Sequence, residues 1–192
     1  MFLLQTSCIN MSSMQTGKTV GQDNTHIGVG GGYIDHTLDL EDVDLDDPSF
    51  SVPYLEASAT HGLTDQLDIG ASFTLIGTID LNAKYQFLGG PNNDFAGSIG
   101  VGAGGLPFGD FTMYDFTIPA YFSHHPSERI AIYATPRFIL RGIEDQTTTW
   151  GGSTIGARIG EGTAFILEGG YYVGQDDLNI TQATVGLAVP ID

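Results

Sequence analysis

Cationic residues are scarce in this sequence. Six Lys and Arg stand against 23 Asp and Glu over 192 residues, a net charge of -17 at pH 7. Binding to a phosphate backbone needs a basic footprint, so nucleic acid is excluded as a partner. The one cysteine, Cys8, rules out a disulfide framework and any multi-cysteine metal site. No apolar run reaches the roughly 18 residues of a membrane-spanning helix. Good helix formers are few and Gly is abundant, at 27 residues, which argues against a helical bundle. Aromatics make up 10% of the chain, and Thr, Val and Ile are frequent, so it is not a disordered acidic tail. Gly28–Gly32 (GVGGG) lacks the Lys-Ser/Thr of a phosphate loop, and no G-x-S-x-G elbow is present. No cofactor is expected.

What the chain does have is period-two alternation. It divides, from His26 on, into segments at 26–34, 52–63, 67–76, 78–88, 95–104, 112–123, 130–141, 148–159, 163–173 and 179–189, separated by Gly, Pro, Asn and Asp. Most exceed the 5–6 residues usual for soluble strands and match the roughly 9–11 of a tilted strand crossing a bilayer. Successive side chains point to opposite faces, so each strand has one apolar side and one polar side. Ile79, Leu81, Ala83, Tyr85 and Phe87 alternate with Asp80, Asn82, Lys84 and Gln86; Tyr114, Phe116, Ile118, Ala120 and Phe122 alternate with Asp115, Thr117, Tyr121 and Ser123. Either the apolar side lines a protein core, as in a lipocalin-like barrel, or it faces lipid around a polar interior.

The polar faces favour lipid outside. Soluble strands usually show Lys, Glu and Arg to water, whereas these faces carry Gly, Ser, Thr and isolated charges of both signs. Lys84, Arg137, Arg141 and Arg158 share them with Glu56, Asp68, Asp80, Asp115 and Glu168. Mixed charges in a narrow lumen would have to pair. The expected network is Glu56, Asp68, Asp80, Lys84, Asp115, Arg137, Arg158 and Glu168, with Gly28, Gly30, Gly32, Gly100, Gly102 and Gly104 making room for it. Tyr33, Tyr54, Tyr85, Tyr114, Trp150, Tyr171 and Tyr172 suit interfacial girdles.

Connections after even-numbered strands are short, whereas those after odd-numbered strands are mostly longer or more acidic. The run Asp35–Asp47 (DHTLDLEDVDLDD) places Asp39, Glu41, Asp42, Asp44, Asp46 and Asp47 in one loop. It lacks the Gly and terminal Glu of an EF-hand, so a solvated surface is preferred to a specific Ca²⁺ site, with divalent cations as diffuse partners. Residues 1–8 read as the end of a signal segment with a lipobox, Thr6 and Ser7 preceding a lipidated Cys8. Residues 9–25 read as a polar linker, and 26–192 as the barrel.

Pieces such as Ile69-Gly70-Ala71-Ser72-Phe73, Tyr85-Gln86-Phe87-Leu88-Gly89 and Glu168-Gly169-Gly170-Tyr171-Tyr172 complete the pattern. With them, residues 26–192 resemble the small bacterial outer-membrane β-barrel proteins, in particular those with a lipoprotein-type amino terminus. The chain closes on Val189-Pro190-Ile191-Asp192, without the terminal aromatic that many such proteins carry. The resemblance implies an all-β, antiparallel up-and-down transmembrane barrel of about ten strands, or eight if one hairpin is misread. It also implies residence in a Gram-negative outer membrane with both termini periplasmic. The expected role is structural or accessory, beside membrane lipid and other outer-membrane proteins. The alternatives are a narrow transport or ligand-binding barrel and a soluble lipocalin-like barrel. Ser123, His124 and His125, with Asp115 on the same strand, raise a hydrolase reading, disfavoured because the histidines fall at a short turn; no catalytic residue is assigned.

Overall fold

The computed structural model describes residues 12–37, 49–75, 77–90, 92–106, 113–143, 146–175 and 178–191. Cys8 and the acidic candidates Asp39, Glu41, Asp42, Asp44, Asp46 and Asp47 lie outside the described residues, as do Asp110, Glu144, Asp145, Asp176 and Asp177.

The alternating segments form ten strands: β1 (Thr25–Thr37), β2 (Ser49–Thr64), β3 (Leu67–Thr74), β4 (Ile79–Leu88), β5 (Phe95–Leu106), β6 (Met113–Ser127), β7 (Ile130–Ile143), β8 (Gln146–Ile159), β9 (Ala164–Gly174) and β10 (Asn179–Ile191). Each pairs antiparallel with its neighbour in the chain, and β1 also pairs with β10, from Thr25 opposite Ile191 to Thr37 opposite Asn179, closing an up-and-down barrel. Closure leaves no strand edge without a partner. One end, the turn end, carries the β2–β3, β4–β5, β6–β7 and β8–β9 turns, the start of β1 and the end of β10. The other is the loop end.

Three register irregularities, at Gly62/Thr64, Gln86/Leu88 and His124/Ser127, all sit at the turn end. The last corrects an expectation. The sequence places His124-His125-Pro126 in a turn, but β6 continues through them to Ser127. A bulge has no need of the N–H that Pro126 lacks.

The apolar faces point outward on every strand. Phe73, Leu81, Phe87, Phe116, Ile132, Phe138 and Leu167 are all exposed. Among the described residues, the one charged side chain at an outward strand position is Asp35, toward the loop end. An apolar exterior around a polar interior inverts the soluble arrangement.

The aromatic residues divide in a way the girdle expectation missed. Tyr33, Tyr85, Tyr114 and Tyr171 are exposed on the outer surface, but Tyr54, Trp150 and Tyr172 point inward and are buried. The last three join Ile34, Ile139 and Ile180 in an apolar cluster inside the loop end. The two tyrosine hydroxyls are satisfied there: Gln182 Nε2 donates to Tyr54 Oη at 2.7 Å, and Tyr172 Oη lies 2.8 Å from Thr154 Oγ1. The interior is therefore polar in its middle and apolar toward one end.

Candidate functional site

The main departure from the sequence reading lies inside the turn-end half of the lumen. Residues 12–24, expected to be a linker, run through it. Ser12, Met14 and Thr16 are buried. The segment shows no period because polar wall surrounds it, so it needs no apolar face. Near the turn end it reverses into β1: Gly21 and Asp23 take left-handed φ values of 85° and 63°, and Asp23 N donates to Gly62 O at 2.9 Å.

Inward side chains of the strands hold this segment mainly by its main chain. Glu168, on β9, accepts five hydrogen bonds: Ser12 Oγ 2.7 Å, Ser13 N 3.1 Å, Ser13 Oγ 2.7 Å, Met14 N 2.7 Å and Tyr133 Oη 2.8 Å. Bonds to an ionised acceptor are the strong ones. Ser123 Oγ accepts from Gly17 N at 3.0 Å, and Ser98 Oγ donates to Gly17 O at 2.5 Å. Gln86 Oε1 accepts from Thr19 N at 2.8 Å, and Asp68 from Val20 N at 3.2 Å. Lys84 Nζ donates to Lys18 O at 2.9 Å and Thr16 O at 3.4 Å. The main-chain groups of an irregular buried segment are thus paired by side chains.

Two further features fit the segment to the wall. Met14 packs with Tyr133, Ile166 and Ala188, giving it one apolar contact. The glycines of β1 and β10 make this possible: a Cβ on Gly30 or Gly186 would lie 2.8 Å or 3.0 Å from the Met14 sulfur. Gly30 therefore makes room for methionine rather than for ion pairs, whereas Gly28 lies against Ser58. Where the segment crosses β5, a Cβ on Gly17 would fall 2.5 Å from Ala96 O, so only glycine fits.

The predicted ion-pair network is present in part. Lys84 Nζ meets Asp68 Oδ2 at 3.2 Å, with both side chains almost fully buried. Asp115 pairs with Arg141, at 2.7 Å and 2.5 Å to its two carboxylate oxygens. Arg141 shares the inward parity but stood outside the predicted set; its place across from Asp115 in the β6–β7 register explains the pair. Arg137 points inward yet meets no carboxylate among the described residues; its Nη2 donates to Ser12 O at 3.5 Å. Arg158, at the turn end, donates to Gly162 O at 3.4 Å. Glu168 serves the segment instead of a cation. Glu56 and Asp80 line a mid-lumen cavity of about 70 Å³ beside Ser12 and Ser13. The charges divide this way because the segment supplies amides and carbonyls that compete with ion pairing.

Ser123 Oγ and His125 Nε2 lie 2.9 Å apart, so two members of the hydrolase reading do meet. The third does not: Asp115 is committed to Arg141 at the opposite end of β6, and Ser123 is buried behind the segment with its oxygen on Gly17 N.

No family model matches the chain. No curated protein matches it in sequence. Among solved structures, it is similar to Neisserial surface protein A, with 11% identity over 86% of this chain and 96% of that one, at a TM-score of 0.47. The outer membrane protease OmpT from Escherichia coli shares 12% identity over 94% of this chain and 100% of its own, at a TM-score of 0.48. The translocator domain of the autotransporter NalP from Neisseria meningitidis shares 10% over 88% of both chains, at a TM-score of 0.45.

Proposed function

We propose that this chain is an outer-membrane β-barrel protein with a structural or accessory role, held shut by its own amino-terminal segment. The observation that carries the reading is the occupied lumen: residues 12–20 run through the turn-end half, tied to Glu168, Ser123, Gln86, Asp68 and Lys84. The apolar cluster around Trp150 and Tyr172 narrows the loop end. A barrel of this strand number has little lumen beyond its side chains, so a docked segment leaves no through-path for solutes. The apolar exterior supports residence in a bilayer, with membrane lipid as the immediate partner and other envelope proteins as candidates. Short turns and both barrel termini share one end, which favours the periplasmic side for that end.

Planar-bilayer recording tests the reading. The full chain should insert without steady conductance, and Glu168→Ala should show channel openings as its segment loosens. Steady open-pore conductance by the unaltered chain would refute a shut barrel. A second reading, a ligand-binding barrel, is favoured by one observation: a cavity of about 550 Å³ opens at the turn end.

A further inference from the structure

That cavity gathers the scarcest charge in the protein. Of the six Lys and Arg residues, Lys18, Lys84, Arg129 and Arg158 line it, together with His26 and His125. Its volume lies within the range of small-molecule sites. The acids on its walls are Asp94, Glu128 and Glu161, all exposed at the rim. Glu161 is occupied by Arg129 at 3.2 Å, and Asp68 below is occupied by Lys84. No carboxylate among the described residues lies within ion-pairing distance of Arg158, which donates to the Gly162 carbonyl at 3.4 Å. Lys18, Lys84, Arg158, His26 and His125 all line this one space, so the cationic groups converge there. Hydroxyls of Ser58 and Thr60 complete the wall. Gly28 keeps that wall open, since a Cβ there would lie 2.5 Å from Ser58 Oγ.

We propose that this vestibule binds a phosphate-type oxyanion, with Arg158 as its main charge partner and Lys18, His26, Ser58 and Thr60 as further donors. A guanidinium fork beside an ammonium and hydroxyls suits an anion with several acceptor oxygens better than a halide. The proposal rests on the ligand-binding reading and supplies its ligand class. Bilayer conductance tests the shut barrel and dialysis tests the phosphate site, so a shut barrel without phosphate binding, or the reverse, is distinguishable.

The test is equilibrium dialysis of the full chain, in zwitterionic detergent, against radiolabelled inorganic phosphate at constant chloride. Saturable binding to one site is expected, weakened about tenfold or more in Arg158→Gln, as loss of a charge-assisted bidentate partner predicts. Lys18→Gln, on the segment rather than the wall, should weaken it less. A circular-dichroism melt of each variant shows that the barrel is intact; if Arg158→Gln melts early, Arg158→Lys carries the test, and it too should bind weakly because it keeps charge but loses the fork. Nanodiscs of phosphatidylcholine with and without phosphatidic acid separate the sources. Competition by phosphatidic acid assigns the site to a lipid headgroup, and its absence assigns it to a free anion. No saturable binding, or equal affinity in the Arg158 variants and the wild type, would overturn the proposal.

Discussion

Replacing Glu168 should release the front of the internal segment and leave the rest of it docked. In Glu168→Ala, five donors lose their acceptor. The Ser12, Ser13 and Tyr133 hydroxyls can rotate toward other acceptors or water. The amides of Ser13 and Met14 cannot. An unpaired buried donor costs about 1–3 kcal/mol, so two cost roughly 2–6 kcal/mol. The adjoining cavity of about 70 Å³ lies beside Ser12 and Ser13 and can admit water, which favours the lower half of that range. A loss of roughly 3 kcal/mol corresponds to faster amide exchange by on the order of a hundredfold, if exchange occurs through local opening. Hydrogen exchange in micelles, read at Ser13, Met14, Gly17 and Thr19, measures it residue by residue. Ser13 and Met14 should accelerate most, while Gly17 and Thr19, held by Ser123 and Gln86, keep most of their protection. Glu168→Gln should fall between, since its amide group can accept through one oxygen only. If Ser13 and Met14 exchange at wild-type rates in Glu168→Ala, the carboxylate does not hold the segment, and the argument for a shut lumen fails.

Other outcomes follow from the same geometry. Gly17→Val sets a branched side chain against the Ala96 carbonyl and should dislodge the segment there, seen as loss of protection at Gly17 and Thr19 with the barrel's circular-dichroism spectrum unchanged. Arg141→Ala strands Asp115 in the lumen and should destabilise the barrel by about 3–5 kcal/mol in detergent melts, whereas Arg137→Ala, which breaks no ion pair, should have a visibly smaller effect; equal effects would contradict the pairing. Phe116→Arg should weaken folding into vesicles by roughly 2–4 kcal/mol if the residue lies near the bilayer midplane, and a neutral result would argue against a lipid-facing β6. Gln15→Leu removes a buried amide oxygen that has no partner among the described residues and should leave the melt unchanged or raised.

The barrel wall was legible because alternation is enforced twice, by lipid outside and by a polar lumen inside. Ile79 through Phe87 shows it: each residue's parity settles its face. The same rule would have placed Tyr54 and Tyr172 inside, since they share parity with Glu56 and Glu168; their position near strand ends suggested girdles and outweighed parity. The internal segment left no such trace. Ser12 through Thr19 contributes mostly peptide groups to its contacts, and peptide groups are the same in every sequence. Its partners on the wall were visible only as inward polar residues, so Glu168 was assigned a cation where its ligands are amides and hydroxyls. The ion pairs depended on register, which alternation does not supply: Asp115 meets Arg141 because β6 and β7 are offset as they are.

The position of the segment ahead of β1 has a kinetic consequence. Met14 and Glu168 are separated by 154 residues, and the wall around them is complete only when β10 has joined β1. Contacts this distant in sequence form late, because the chain entropy between them must be surrendered first. The segment, made before the strands that surround it, therefore waits, solvated, for a binding place that the last strand finishes. Refolding into micelles should resolve into two phases, strand assembly and then a slower threading of the segment through the turn-end opening. Variants at Glu168 would change the second phase and leave the first alone.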